Sequence, residues 1–410
     1  MPEPTSDPSA PLPGAPEPWA ATDTPSPRPG PPFHMTDMIA AESALARRLL
    51  GRLADPAGPV GDAARALASA ISETLAAGAP IVVTGCGTSE HGALGLVELV
   101  RDGLRSGGRA ADPTVAVAAQ AFELALDPPS RGLVVGISHE GATWATNRAL
   151  SAATTAGARV AIVTVSGRSP GAALADPALV VETGELDQSW CHTVGYLSPL
   201  LAGHAIAADL AGRPLGWPAI EAAAALVAAG TSATATAGAE RVAAALGDVT
   251  RLVVVASGAD RVAGRELVLK LEEGTWIPSA YRDLETILHG HWPGTDGSTG
   301  LVLVQADRRA RRERLDRAIQ ALEAARVIGV RSAAILAAEV ASAIPESLTP
   351  AGRIVVPEAP DLGPAAAALL GTATPLQLLT ERLARVRGTD PDAIRRGQPA
   401  YRDAAAAAEG

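Results

Sequence analysis

The chain has 410 residues, 47% of them hydrophobic, and a net charge of −10. Single cores stop growing at roughly 250–300 residues, so two domains are expected. The acidic balance argues against a nucleic-acid partner, and two cysteines, Cys86 and Cys191, are too few for a disulfide framework. No apolar run is expected to reach the roughly 18 uncharged residues of a membrane span, and no signal-peptide pattern opens the chain, so a cytoplasmic setting is expected.

Residues 1–34 are rich in Pro, Ser, Thr and Ala without hydrophobic period, and read as a disordered tail. Amphipathic helices follow over Met35–Leu53 and Gly61–Ala77. Short β-rich runs then alternate with helical patterns: Ile81–Thr84, Leu133–Ile137, Val160–Val165 and Leu179–Val181. The alternation predicts an α/β protein with parallel sheets covered on both faces. After the Ala-rich helical stretch Ala219–Leu246 the pattern recurs, with strands at Leu252–Ala256, Leu301–Gln305, Ser332–Leu336 and Ile354–Val356. Ile81–Val100 and Leu252–Glu273 share one layout of strand, glycine turn and long helix, so an internal duplication of doubly wound domains is expected, residues 35–215 and 216–385. Residues 386–410 read as a C-terminal tail, frayed from Ala404.

Three segments could carry chemistry. Gly85-Cys86-Gly87-Thr88-Ser89 stands between strand and helix, where glycines admit close approach and helix N–H groups face an anion. A plain tight turn would look the same. Ser138-His139-Glu140-Gly141-Ala142-Thr143 closes the next strand, at the end where open sheets bind ligands; Ser138 and Thr143 could equally be helix caps. The third segment spans Lys270 to His291. Lys270 is the only lysine among 34 basic residues. An arginine-favouring composition explains the other 33 but leaves this one open, and lysine, unlike arginine, can change protonation when buried. Lys270 and Glu273 share a helix face and could do acid–base work with His289, or form a solvated ion pair of little consequence. One residue between His289 and His291 suits a strand, and with no third ligand nearby no metal is expected.

Taken together, these motifs resemble the tandem sugar-isomerase (SIS) domain proteins, among them the isomerase half of glucosamine-6-phosphate synthase, over residues 37–400. Cys86-Gly87-Thr88-Ser89 stands as in that family, and Ser138-x-x-Gly141-x-Thr143 fits its phosphate loop. Leu269-Lys270-Leu271-x-Glu273, His289-Gly290, Pro375-Leu376-Gln377-Leu378-Leu379 and Gly388-Thr389-Asp390-x-Asp392 follow in the family's order. The resemblance implies a small-molecule sugar or sugar phosphate as ligand and no cofactor. Glu273 would be the base moving a proton between C1 and C2, Lys270 its supporting cation, and His289 the ring-opening group reaching into the neighbouring subunit's site. That last role implies a homodimer with shared active sites. Cys86, Gly87, Thr88, Ser89, Ser138, His139, Glu140, Gly141 and Thr143 would line the ligand, with Ser189 and Thr193 as further contacts.

The pattern departs from the family in three respects besides the Gly184–Gly195 segment, which aligns poorly. The glutaminase domain has no counterpart. The imine-forming C-terminal lysine falls at Pro399 by spacing. Glu140 stands where a serine is usual, and a carboxylate at 4 Å from a phosphate costs about 4 kcal/mol per unit pair at an effective dielectric near 20. The expected function is an aldose–ketose isomerase or an amino-sugar-phosphate deaminase or deglycase; the alternative is a non-catalytic sugar-binding regulator.

Overall fold

The computed structural model describes residues 28–109, 114–181 and 188–409. Most of the expected tail and part of the 184–195 segment lie outside them. Helices α1 (His34–Ala54) and α2 (Pro59–Ala76) precede the first sheet. That lobe continues as β1 (Ile81–Gly85), α3 (Thr88–Ser106), β2 (Ala116–Gln120), α4 (Ala121–Leu126), β3 (Leu133–Ile137), α5 (Trp144–Ala156), β4 (Arg159–Thr164), α6 (Pro170–Leu174), β5 (Ala178–Val180) and α7 (Val194–Leu210). Helices α8 (Trp217–Ala229) and α9 (Ala233–Leu246) lead into the second lobe. It runs β6 (Arg251–Ala256), α10 (Asp260–Thr275), β7 (Ser279–Asp283), β8 (Thr299–Gln305), α11 (Arg311–Ile328), β9 (Arg331–Ala337), α12 (Ala338–Ala343), β10 (Gly352–Val356), α13 (Pro364–Arg387) and α14 (Pro399–Glu409). The last of these is helical where the sequence suggested a fraying end.

The sheets are ordered β2-β1-β3-β4-β5 and β10-β9-β8-β6-β7, and every pair is parallel. Read from β7, the second order repeats the first strand for strand, so the duplication expected from sequence is present in the topology. In both sheets the winding reverses beside the first strand, between β1 and β3 and between β6 and β8. Open α/β sheets form their ligand crevice at that reversal, outside the carboxyl ends of the strands. The inner strands β1, β3 and β6 are apolar and buried because helices cover both faces.

Helix α3 joins the lobes along one stripe. Thr88 and His91 bond Glu266, and a Cβ on Gly95 would lie 3.8 Å from Val262. Glu98 pairs with Arg309 at 3.1 Å, and Asp102 accepts the Ala365 N–H. Those positions advance by three or four residues each time, the repeat of one helix face. The last contact also caps the first turn of α13, whose orphan N–H groups need an acceptor.

Asp392 fastens the other end of the molecule. Its carboxylate accepts the N–H groups of His34 and Met35 at 2.8 and 2.9 Å, at the start of α1, and its carbonyl accepts the Trp190 N–H.

One expectation is corrected. Trp217–Leu246 spans 30 residues, with an 18-residue window of mean hydropathy 1.2, long and apolar enough by composition to cross a membrane. Its alanines supply that hydropathy without bulk. Here the stretch is α8 and α9, which meet at Gly230–Ser232. Ile220, Leu226, Val227, Val242 and Leu246 turn into the core.

Two buried titratable groups pull stability in opposite directions with pH. Burial pushes the Asp260 carboxyl up from 3.8 to about 7, against two backbone N–H groups that favour the anion and with the Asp307 charge adding to the rise. Burial depresses the His204 imidazole from 6.5 to about 4. Between pH 4 and 7 the unfolded chain has lost the Asp260 proton that the fold keeps, so this group lowers stability as pH rises. Between pH 4 and 6.5 the unfolded chain binds a His204 proton that the fold refuses, so this group raises stability as pH rises. Asp260→Asn should therefore steepen the climb of stability between pH 4 and 6.5, relative to wild type, by up to about 1.4 kcal/mol per pH unit. His204→Leu should do the reverse. Urea unfolding at stepped pH reads both; parallel profiles for all three proteins would refute the assignment.

Candidate functional site

The loop after β1 turns at Gly87, which has φ 56° and admits no side chain without strain. Space above it is open: a Cβ placed there would meet only Leu269 of α10, at 3.9 Å. Cys86 Sγ lies 3.8 Å from Thr146 Oγ1 in the first turn of α5, which sets this loop beside the one after β3. In that second loop Ser138 Oγ donates to Thr143 Oγ1 at 3.2 Å, Gly141 turns with φ 68°, and Ser138 is buried while Glu140 and Thr143 are exposed. A Cβ on Gly141 would fall 2.1 Å from Ser169 Oγ, so glycine is required there on two counts.

Helix α10 comes from the second lobe and lies across the start of α3. It carries three polar residues on one face, Glu266, Lys270 and Glu273, at spacings of four and three. Lys270 Nζ lies 2.6 Å from Glu273 Oε2 and 3.5 Å from Glu266 Oε1. Lys270 and Glu266 are fully buried, while the Glu273 side chain keeps 20% of its surface exposed. The cation is thus locked inside and the outer carboxylate reaches solvent. Burial alone would pull the lysine down, but Glu273 and Glu266 together outweigh it and hold the ammonium above its ordinary range. Lys270 is therefore a fixed positive charge, unsuited to act as a base or as an amine nucleophile.

Glu266 is also held as an anion. Burial works against its charge, and Lys270 and the His91 imidazole, whose Nδ1 lies 2.6 Å away, more than compensate. Thr88 donates a further bond at 3.2 Å. Glu266 and His91 lie outside the sequence motifs. Their signal was the i, i+4 spacing to Lys270 and the i, i+3 spacing to Thr88.

The 188–193 segment links the two parts of the site. The buried Cys191 thiol, pushed well up by burial, lies beside Lys270 and Glu273. The next residue, His192, sets its ring 4.9 Å from that of His139 in the β3 loop. Ser189 and Thr193, expected as ligand contacts, are both buried. Ser189 Oγ accepts the Cys191 N–H within its own turn, and the Thr193 carbonyl accepts from Gln377. The two C-terminal motifs brace this arrangement: Gln377 holds Thr193, and Thr389 Oγ1 donates to the Gly274 carbonyl, next to Glu273.

His289 stands apart from this cluster. Its side chain is 70% exposed and bonds Glu285 at 2.8 Å, which also pairs with Arg317. His291 accepts from Arg282. The structure thus brings together the β1 loop, the β3 loop, Lys270 and Glu273, and leaves His289 on the surface of the single chain.

No family model matches the sequence, and no curated protein is recognisably similar to it. Solved structures are similar in fold. The C-terminal domain of glucosamine-fructose-6-phosphate aminotransferase from Francisella tularensis superposes with a TM-score of 0.71 at 17% identity, covering 90% of this chain and 99% of that one. Tagatose-6-phosphate ketose/aldose isomerase from Escherichia coli does so with a TM-score of 0.64 at 17% identity, over 90% and 97%. The likeness spans both lobes. It shows a tandem sugar-isomerase-type fold, the architecture the sequence motifs implied.

Proposed function

We propose that the chain binds a sugar phosphate in the first-lobe crevice and moves a proton between adjacent carbons of its open-chain form, as an aldose–ketose isomerase or an amino-sugar-phosphate deaminase or deglycase. The observation that carries this reading is the Glu266–Lys270–Glu273 row, with a buried cation behind a solvent-reaching carboxylate, set against two hydroxyl-rich loops. Abstracting a proton beside a carbonyl needs a positioned carboxylate and positive charge near the oxygen that becomes negative. Glu273 fits the first part and the permanently charged Lys270 the second. Thr88, Ser89, Ser138 and Thr143, with the N–H groups opening α3 and α5, would hold the phosphate. His289 would open the sugar ring from a second copy of the chain, which its exposure permits. Imine chemistry has no lysine to use, since the only one is committed to its two carboxylates.

Thermal shift against fructose 6-phosphate, glucosamine 6-phosphate, galactosamine 6-phosphate and their unphosphorylated forms tests the ligand class. Stabilisation by phosphorylated sugars is expected, and should vanish in Ser138→Ala/Thr143→Val. Stabilisation by the unphosphorylated forms alone would refute the phosphate and favour a sugar-binding regulator, for which Glu140 in the loop would be no obstacle.

A further inference from the structure

The two lobes share a topology, yet their crevices differ at equivalent points. Gly258 follows β6 as Gly87 follows β1, and both have positive φ, 65° and 56°. Above Gly87 the space is open. Above Gly258 a Cβ would fall 2.5 Å from Asp307 Oδ2 and 2.5 Å from the Arg314 guanidinium. Asp307 comes from the loop after β8, the counterpart of the Ser138–Thr143 loop after β3.

The Asp307 carboxylate sits there as a bound anion would. It is fully buried, and its Oδ2 accepts the Ala259 N–H, at the start of α10, at 2.9 Å. Arg309 Nη2 donates to Oδ2 at 2.8 Å and Arg309 Nε lies 3.1 Å from Oδ1, while Arg314 Nη1 lies 3.1 Å from Oδ2. The Arg309 backbone N–H adds a bond to Oδ1 at 2.9 Å. Two guanidinium groups and two backbone N–H groups, one of them at the N-terminus of a 16-residue helix, converge on one carboxylate. That donor set is what an oxyanion site supplies. Arg309 also reaches Glu98 of α3, so the cluster helps to fix the second lobe against the first.

We propose that the second lobe contains an oxyanion cradle that Asp307 occupies as a built-in ligand. The cradle therefore takes up no external anion in the native chain. The cradle stands whether or not the first lobe takes a sugar phosphate.

Asp307→Ala removes the internal anion and keeps its donors. It should be made in the Ser138→Ala/Thr143→Val background, so that the first lobe does not contribute. Thermal unfolding is then followed with inorganic phosphate and with formate, against chloride at matched ionic strength. At ten times the dissociation constant either oxyanion should raise the midpoint by about 1–2 °C in the Asp307→Ala chain, with no such rise in its parent. If the variant does not fold in chloride, recovery of folded protein should depend on phosphate or formate. A folded variant that responds no more than its parent, or an unfolded one that neither oxyanion rescues, overturns the proposal.

Discussion

Replacing Lys270 with methionine should cost about 3–5 kcal/mol of folding stability, more than any other single change in the site. The loss comes from what remains behind. Glu266 is fully buried, and the lysine is the principal charge that compensates its burial. Without it the carboxylate keeps, among the described residues, only His91 and Thr88 as hydrogen-bond partners. Glu273 loses much less, because its side chain still reaches water. Methionine fills nearly the same volume, so the change reads charge and not a cavity. Adding Glu266→Gln to Lys270→Met should recover most of the loss, since a buried pair replaced whole is often close to neutral. Urea unfolding of the wild type, both single variants and the double variant supplies the cycle. A Lys270→Met cost below about 1 kcal/mol, or a double variant no more stable than Lys270→Met, would show that the row does not carry its charge as described.

Glu273→Gln should lower turnover of the substrate by about 10²–10⁴-fold, the usual worth of a positioned general base. It should leave ligand-induced stabilisation nearly intact, because the amide keeps the size of the side chain and one oxygen facing Lys270. Binding and chemistry then separate in one protein. The same variant tests the role of His289. If that imidazole acts in the site of a second copy, mixing Glu273→Gln with His289→Asn chains should restore activity that neither has alone, since a mixed dimer contains one site with both groups intact. Mixed chains that stay inactive would place His289 outside the chemistry.

Much of this was legible in the sequence because it lies in strongly patterned segments. The strands β1, β3, β4, β6, β8 and β9 are apolar runs, and the loops that follow β1 and β3 carry glycines where the chain turns with positive φ. The Lys270–Glu273 pair follows from helical spacing alone. Two strands left no such trace. β2 and β7 occupy the same position in their sheets, at the edge beside β1 and β6. An edge strand pairs on one side and is only partly covered, so Ala116–Gln120 can be mostly alanine and Ser279–Asp283 mostly polar, without the bulky β-branched run of β1 or β6. The other omissions are contacts between distant parts of the chain. Glu266 reads as one more charge on a helix until α3 is laid against it with His91. Nothing near Asp392 in sequence announces that it holds the first turn of α1. Asp307 looks like an ordinary loop residue until the second crevice closes around it.

The most direct test of the central claim is proton exchange at the sugar. Wild-type chain is incubated in D₂O with fructose 6-phosphate and, separately, with glucosamine 6-phosphate and galactosamine 6-phosphate, and deuterium at C1 and C2 is followed by NMR. Exchange detects proton transfer whichever net reaction follows. At least one of these phosphates should exchange with the wild-type chain, and that exchange should be lost in Glu273→Gln while the ligand still stabilises the variant. Exchange that persists at the wild-type rate in Glu273→Gln, or a wild-type chain that binds a sugar phosphate and exchanges nothing, would contradict it.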